Sequence, residues 1–446
     1  MTHTKSLLGF SVLVVMLIAA GCSGPVSPAT QDAAPATGVT VAGVTVLPDG
    51  TIHETGVLGP GALYDIWVPS EWEQGNLVLY AHGYVNPQEE PALPDDLGAD
   101  VMQQLLDGGF AIAYSSFAET GWAVKDGAIR TRQLLGHFKD NYGDPDSAFL
   151  VGASQGGIIS LLLAEQNPNL FDGMLTLCAP IGGARMQMEY IVHVRVLFDY
   201  FFRDTLKYIA GVDAQAGLLD AALGEQPLGA DAAGLPADFD ILPIVGTLLF
   251  LNQEVAAVMA TMHVDGRPLF NWPPEMIELG AFAPELVASI TAGLWFNIYG
   301  TADLLERTNG HGPVDTRRSV YYSPLLDWDS NGNAALNAGV ARLASHPAGA
   351  NYLRRWYQPT GRLRFPTINL HTTRDPAVPV QHQRVFGEIA AAAGSGELLQ
   401  REIDGFGHCE VLIPPSYTES SPEFGAAMLE AFYDLVAWVK LGIVPD

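Results

Sequence analysis

The stretch from Phe149 to Ser160 reads Phe-Leu-Val-Gly-Ala-Ser-Gln-Gly-Gly-Ile-Ile-Ser, and no other segment constrains the fold as much. An apolar, strand-like run ends in Gly152, Ser154 follows two residues later, Gly156 and Gly157 come next, and an apolar segment of helical length begins. A serine in Gly-x-Ser-x-Gly between a strand and a helix sits on a strained turn, and the flanking glycines leave room for the close backbone approach that the turn demands. So short a pattern also arises as an ordinary Gly/Ser-rich turn, and its chemical meaning depends on partners elsewhere in the chain.

The surrounding chain alternates. Val39 to Val68 carries Val-rich runs broken at Pro48-Asp49-Gly50 and Gly59-Pro60-Gly61, which predicts an opening antiparallel edge. Strands are then expected at Asn76–Ala81, Phe110–Tyr114, Ala148–Val151 and Gly173–Cys178, and helices at Ala99–Asp107, Ala123–Phe138 and Ile158–Gln166. Strand, helix, strand, helix is the signature of a doubly wound, mostly parallel sheet covered on both faces, an α/β fold. From Ile181 to Tyr357 strand signals give way to long helical candidates at Met186–Ile209, Leu242–Met262 and Pro274–Trp295. The alternation returns with a strand at Pro366–His371, a helix at Val380–Ala393, a strand at Leu398–Ile403 and a helix at Glu423–Lys440. The organisation expected is therefore a core in two parts, 39–180 and 358–446, interrupted by a mainly helical insertion over 181–357.

A nucleophilic serine needs a base within hydrogen-bond reach, and that base needs a carboxylate to fix its tautomer and stabilise its cation. In a doubly wound sheet such groups gather on loops at the carboxyl ends of strands. Asp375, in Thr-Thr-Arg-Asp-Pro-Ala-Val-Pro, follows the strand ending at His371, and His408, in Asp-Gly-Phe-Gly-His-Cys-Glu, follows the next one. Asp-Pro also starts simple turns, and a histidine in a Gly-rich loop is often only a surface residue. Asp404 lies near His408 but on the wrong side of the strand end, and His82 comes too early to replace His408 as base.

The elbow, the Asp-Pro-Ala-Val-Pro loop and the Gly-His loop before a closing helix together resemble the α/β-hydrolase superfamily. The resemblance spans most of the chain outside its N-terminal segment and insertion. Gly121-Trp122-Ala123-Val124, Leu163-Ala164-Glu165 and Asp172-Gly173 are similar to secreted bacterial esterases and to prolyl-oligopeptidase-like hydrolases. The resemblance implies a Ser154–Asp375–His408 triad, an oxyanion hole made by the backbone N–H groups of Tyr84 and Gln155, and a serine hydrolase that cleaves carboxylic esters without a cofactor. It also implies that 181–357 is a cap or lid, whose aromatics include Tyr190, Phe198, Tyr200, Phe201, Phe202, Phe270, Trp272 and Trp295. A peptidase on the same fold shares the triad, and a non-catalytic lipoprotein that keeps the fold as a binding module stands as the reading from another class. In a group of feruloyl esterases and tannases a cysteine beside the serine pairs with one beside the histidine. Cys409 fits the second position, but Ala153 stands at the first, which leaves Cys178 as the remaining candidate for a bond to Cys409; two buried free thiols are the alternative.

Composition sets the address and the partners. Lys5, the apolar run Leu7–Ala20 and Ala19-Ala20-Gly21-Cys22 read as an export signal over 1–22 that resembles a bacterial lipoprotein signal, with Cys22 as the lipidated residue or with ordinary cleavage nearby. Residues 23–38 are rich in Ser, Pro, Ala and Thr and read as a tether. A cell-envelope lipoprotein or secreted protein is expected, with membrane contact through the lipid. The chain carries 49 acidic against 22 basic residues, a net charge of -27, which argues against a nucleic-acid partner; a small-molecule or polymer ester is the substrate class that the resemblance implies. No His-Glu-x-x-His or cysteine cluster points to zinc. Asp327, Asp329, Asn331 and Asn333 repeat the first half of a calcium loop, but Ala338 takes the place of the bidentate glutamate, so a polar turn is the competing reading.

Overall fold

The computed structural model describes residues 43–445, apart from 73–74, 95–96, 211–213, 237–238, 281, 327–330 and 410–421. Cys22 and the expected signal and tether lie outside the described residues, as do Asp327 and Asp329.

The Val-rich opening forms β1 (Gly43–Val46), β2 (Ile52–Leu58) and β3 (Ala62–Val68), paired antiparallel in sequence. Then come β4 (Asn76–Ala81), α1 (Ala99–Asp107), β5 (Phe110–Ser115), α2 (Val124–Tyr142), β6 (Ser147–Ala153), α3 (Gln155–Gln166) and β7 (Gly173–Leu177). After the insertion the core resumes with β11 (Thr367–Arg374), α13 (Gln381–Ala393), β12 (Leu398–Phe406) and α14 (Pro422–Leu441). Among the described residues these strands make one sheet in the order β1-β2-β3-β5-β4-β6-β7-β11-β12. From β5 to β12 all pairings are parallel. Every residue of β5, β6 and β7 is buried, as continuous apolar runs require when helices cover both faces.

The segment between β7 and β11 holds α4 (Ala184–Ala210), α5 (Ala214–Leu223), α6 (Leu242–Leu251), α7 (Gln253–Ala260), β8 (His263–Val264), β9 (Arg267–Pro268), α8 (Pro274–Leu279), α9 (Ala283–Phe296), a π-turn at Asn297–Thr301, α10 (Ala302–Arg307), β10 (Tyr321–Tyr322), α11 (Gly332–Gly339) and α12 (Pro347–Arg355). Two helices expected to be continuous are each broken. The first bends by 107° at Asn252, where Nδ2 donates back to the Leu248 carbonyl and the backbone leaves the helical region. The second stops at Gly280, left-handed at φ 66°, and α9 restarts with Pro284 in its first turn, where the missing N–H costs nothing. Phe198 and Phe202 are buried inside this segment, and so is Arg195. The Arg195 guanidinium donates to Asp199, Asn297 and the Gly224 carbonyl, so α4, the π-turn and the end of α5 share one satisfied buried cation.

Glu165, in the last turn of α3, closes the segment onto the core. Its carboxylate accepts from the Tyr357 hydroxyl, the Thr360 hydroxyl and the amides of Thr360 and Gly361. Removing it strands several donors at once. Glu165→Ala is expected to lower the unfolding free energy by about 2 kcal/mol, read as a lower urea midpoint, and an unchanged midpoint would show the carboxylate to be replaced by solvent without loss.

Candidate active site

β6 delivers Ser154 to the top of the sheet at φ 51°, ψ -122°, a backbone conformation that L-residues rarely adopt. What holds it there is close packing. A Cβ on Gly156 would lie 1.8 Å from the Ala81 carbonyl oxygen at the end of β4, and the Ser154 amide donates to Leu177 at the end of β7 at 2.8 Å. The serine is pinned between its two neighbouring strands.

Asp375 follows β11 and His408 follows β12, the two strands on the far side of β7. The three expected residues come together. Ser154 Oγ lies 2.8 Å from His408 Nε2, and His408 Nδ1 donates to Asp375 Oδ2 at 2.7 Å. Asp375 Oδ1 accepts from the amides of Ala377 and Val378, both at 2.8 Å, so neither carboxylate oxygen is left unpaired. All three residues are buried, at 6%, 8% and 4% exposure for Ser154, Asp375 and His408. Asp404 is exposed and pairs with Arg374 and Thr373 instead.

Gln155 and Tyr84 sit at the start of α3 and just past β4. Among the described residues, no acceptor engages either backbone amide. Both residues are tied to a single glycine. The Gln155 side chain donates to the Gly121 carbonyl at 3.1 Å, and the Gly121 amide donates to Val85, next to Tyr84, at 2.9 Å. The Trp122 amide in turn donates to Asp303 Oδ2 at 2.7 Å, and Arg307 grips both oxygens of Asp303 while reaching Glu119 and the Thr120 carbonyl. Gly121 tolerates no side chain: its φ is 69° and a Cβ would meet the Asp303 carboxylate at 2.6 Å. Asp303 and Arg307 escaped the sequence reading because nothing local marks a helix in a distant insertion as a brace for this loop. The Tyr84 ring meets Trp295 and Phe296 edge-on, and its hydroxyl is buried without a hydrogen-bond partner among the described residues. Tyr190 donates to the Pro376 carbonyl beside Asp375, and Phe270 stacks on Trp272 next to that same loop.

The expected disulfide needs correction. Cys178 and Cys409 are both free and buried, and the Cys409 amide donates to Cys178 Sγ at 3.1 Å. Burial pushes the Cys409 thiol well up, which disfavours its thiolate in the folded protein. Of the calcium-loop candidates inside the described residues, Asn333 spends its amide on the backbone of Ser323, accepting at 2.9 Å and donating at 3.0 Å, and Asn331 precedes α11. Among the described residues no group of three His, Cys, Asp or Glu side chains is arranged to hold a metal.

Serine after β6, carboxylate after β11 and histidine after β12 occupy the carboxyl ends of a mostly parallel sheet, in the chain order Ser, Asp, His. The fold is the α/β-hydrolase fold. No family model matches the sequence, and no curated protein matches it. Among solved structures the chain is similar to feruloyl esterase B from Aspergillus oryzae, at 14% identity over 89% of this chain and 82% of that one, with a TM-score of 0.49. It is similar to Candida antarctica lipase A at 12% identity over 92% and 83%, with a TM-score of 0.42. It is also similar to the acylaminoacyl peptidase of Pyrococcus horikoshii at 10% identity over 89% of this chain, with a TM-score of 0.42, and spans 41% of that chain.

Four buried histidines surround this architecture in the neutral form. Burial lowers His82 to about 4, His193 to about 4 and His382 to about 3, and lowers His371 as well, from an ordinary 6.5. Below pH 6.5 the unfolded chain therefore binds protons that the folded chain refuses, so their contribution to stability is complete above 6.5 and is lost as pH falls toward 4 for His82 and His193 and toward 3 for His382. NMR of histidine-labelled protein is expected to show the C2 protons of His82, His193 and His382 not titrating between pH 8 and 5; a His82 midpoint near 6.5 would contradict the burial argument.

Proposed function

We propose that the protein is a serine hydrolase that cleaves carboxylic esters through an acyl-enzyme intermediate. The observation that carries this reading is the continuous line from Ser154 Oγ through His408 to Asp375, at 2.8 Å and 2.7 Å. In the proposed cycle Ser154 Oγ attacks the ester carbonyl while His408 Nε2 takes its proton. Asp375 holds the Nδ1 proton in place and balances the imidazolium that forms. The amides of Gln155 and Tyr84 receive the developing oxyanion, a role that suits two N–H groups without another acceptor. Collapse of the tetrahedral intermediate expels the alkoxide, which leaves as the alcohol with the proton from Nε2. A water then repeats the sequence on the acyl-enzyme, and no cofactor takes part.

The preference for an ester over a peptide rests on the sequence resemblance; the aromatic cluster of Tyr84, Trp295 and Phe296 near the proposed oxyanion site would suit an apolar acyl or aryl group in either case. The helical segment 181–357 is proposed to be the cap that chooses this group. Export, with anchoring through a lipidated Cys22, rests on the sequence of residues 1–22 alone.

Ser154→Ala is expected to lower kcat on a short nitrophenyl ester by about 10⁴-fold or more with the melting temperature unchanged. Undiminished turnover would refute the assignment. A peptide panel cleaved faster than the ester panel, with the same dependence on Ser154, would transfer the triad to a peptidase.

Asp303 is proposed as a positioning residue for the oxyanion amides, acting through Trp122 and Gly121. One charge-assisted hydrogen bond is worth enough that Asp303→Ala should cost about 10–100-fold in kcat with little change in KM. Asp303→Asn retains an oxygen for the Trp122 amide and should recover most of the loss. A pure KM effect would make Asp303 a substrate-binding or merely structural residue.

A further inference from the structure

A groove of about 900 Å³ opens where three parts of the insertion meet, and its lining contains none of Ser154, Asp375 or His408. Arg185 comes from the first turn of α4, Arg317 and Arg318 from the loop before β10, and Arg354 from the last turn of α12. Asp315 is the one acidic residue in that lining. This is the reverse of the chain as a whole, where 49 acidic residues face 22 basic ones and four of those 22 converge here.

The four cations differ in what they already bind. Arg317 spends its guanidinium on Asp315, at 3.0 Å and 2.5 Å, and Arg185 Nε donates to Glu189 at 2.7 Å. Arg318 and Arg354 have no side-chain partner among the described residues. Unpaired guanidinium groups gathered on one concavity repel each other, and an anion in the groove reverses the sign of that interaction. The planar fork of a guanidinium matches a phosphate or a carboxylate through two parallel N–H donors. Asn351 and Gln358 add neutral side-chain amides to the same lining. A protein of net charge -27 repels anions over most of its surface, so a cationic concavity is where one would be held.

We propose that this groove binds a small organic polyanion carrying two or more phosphate or carboxylate groups. The proposal is independent of the hydrolase reading. Titration calorimetry on the protein at fixed ionic strength, with inorganic pyrophosphate, citrate and acetate as probes, tests it. Saturable one-to-one binding is expected for pyrophosphate, citrate or both, with acetate weaker. The variant Arg318→Glu/Arg354→Glu should weaken binding about ten-fold or more. Its melting temperature and ester turnover should stay unchanged, and Arg318→Gln/Arg354→Gln serves if charge reversal harms folding. Binding of pyrophosphate alone identifies a phosphate site, of citrate alone a polycarboxylate site, and of both the chemistry they share. Failure of both to saturate, equal binding of acetate, or affinity retained in the variants would overturn the proposal.

Discussion

The backbone of Ser154 is the constraint on which the rest of the site depends. A non-glycine residue at φ 51° and ψ -122° costs about 1–3 kcal/mol, and it persists only where its surroundings leave no alternative. Here those surroundings are the ends of two strands. Gly156 presses against the Ala81 carbonyl of β4, and the Ser154 amide is claimed by Leu177 of β7. Relaxing the turn would break the bond to β7 and push α3 off β4. The strain is thus held by the most deeply buried part of the sheet, where β4, β6 and β7 carry their continuous apolar runs.

Once the serine is held, the other two residues are positioned by strand order alone. β11 and β12 lie beyond β7 in parallel register, so the loops that leave their carboxyl ends emerge on the same rim as Ser154. Asp375 uses one carboxylate oxygen on its own loop, through Ala377 and Val378, and the other on His408. The first bond set orients the second. Arg374, one residue earlier, is occupied with Glu285 of α9 and with Asp404, which keeps a cation next to Asp375 engaged elsewhere.

Most of this is legible in the amino-acid sequence. The core strands and helices announce themselves through buried apolar runs and through glycines that admit only one turn, and Ser154, Asp375 and His408 each follow a strand in chain order. The insertion was harder to read. Apolar residues over 242–262 keep a helical pattern straight through Asn252, whose side chain ends the helix by taking a carbonyl four residues back, and hydrophobic periodicity carries no record of that. The 274–295 pattern likewise runs through Gly280, which a periodicity count tolerates but the left-handed backbone does not. Position in the sequence makes Cys178 and Cys409 neighbours, and so they are, but they meet through an amide-to-sulfur hydrogen bond and not a disulfide, a detail of backbone geometry that no spacing records.

The same distinction explains why Asp303 was invisible. A carboxylate in an amphipathic helix reads as a solvated face, and its sequence neighbours offer nothing to contradict that. Only the fold brings it against Gly121, a glycine whose left-handed backbone and lack of a side chain admit the carboxylate at close range. Through Trp122 on one side and Val85 and Gln155 on the other, a residue of the insertion is mechanically continuous with both ends of the elbow's rim. A segment inserted after β7 could have been a passive cover attached only at its two ends. This one is hydrogen-bonded into the loop between β5 and α2, so any displacement of α10 must be transmitted to Gly121 before it reaches the serine.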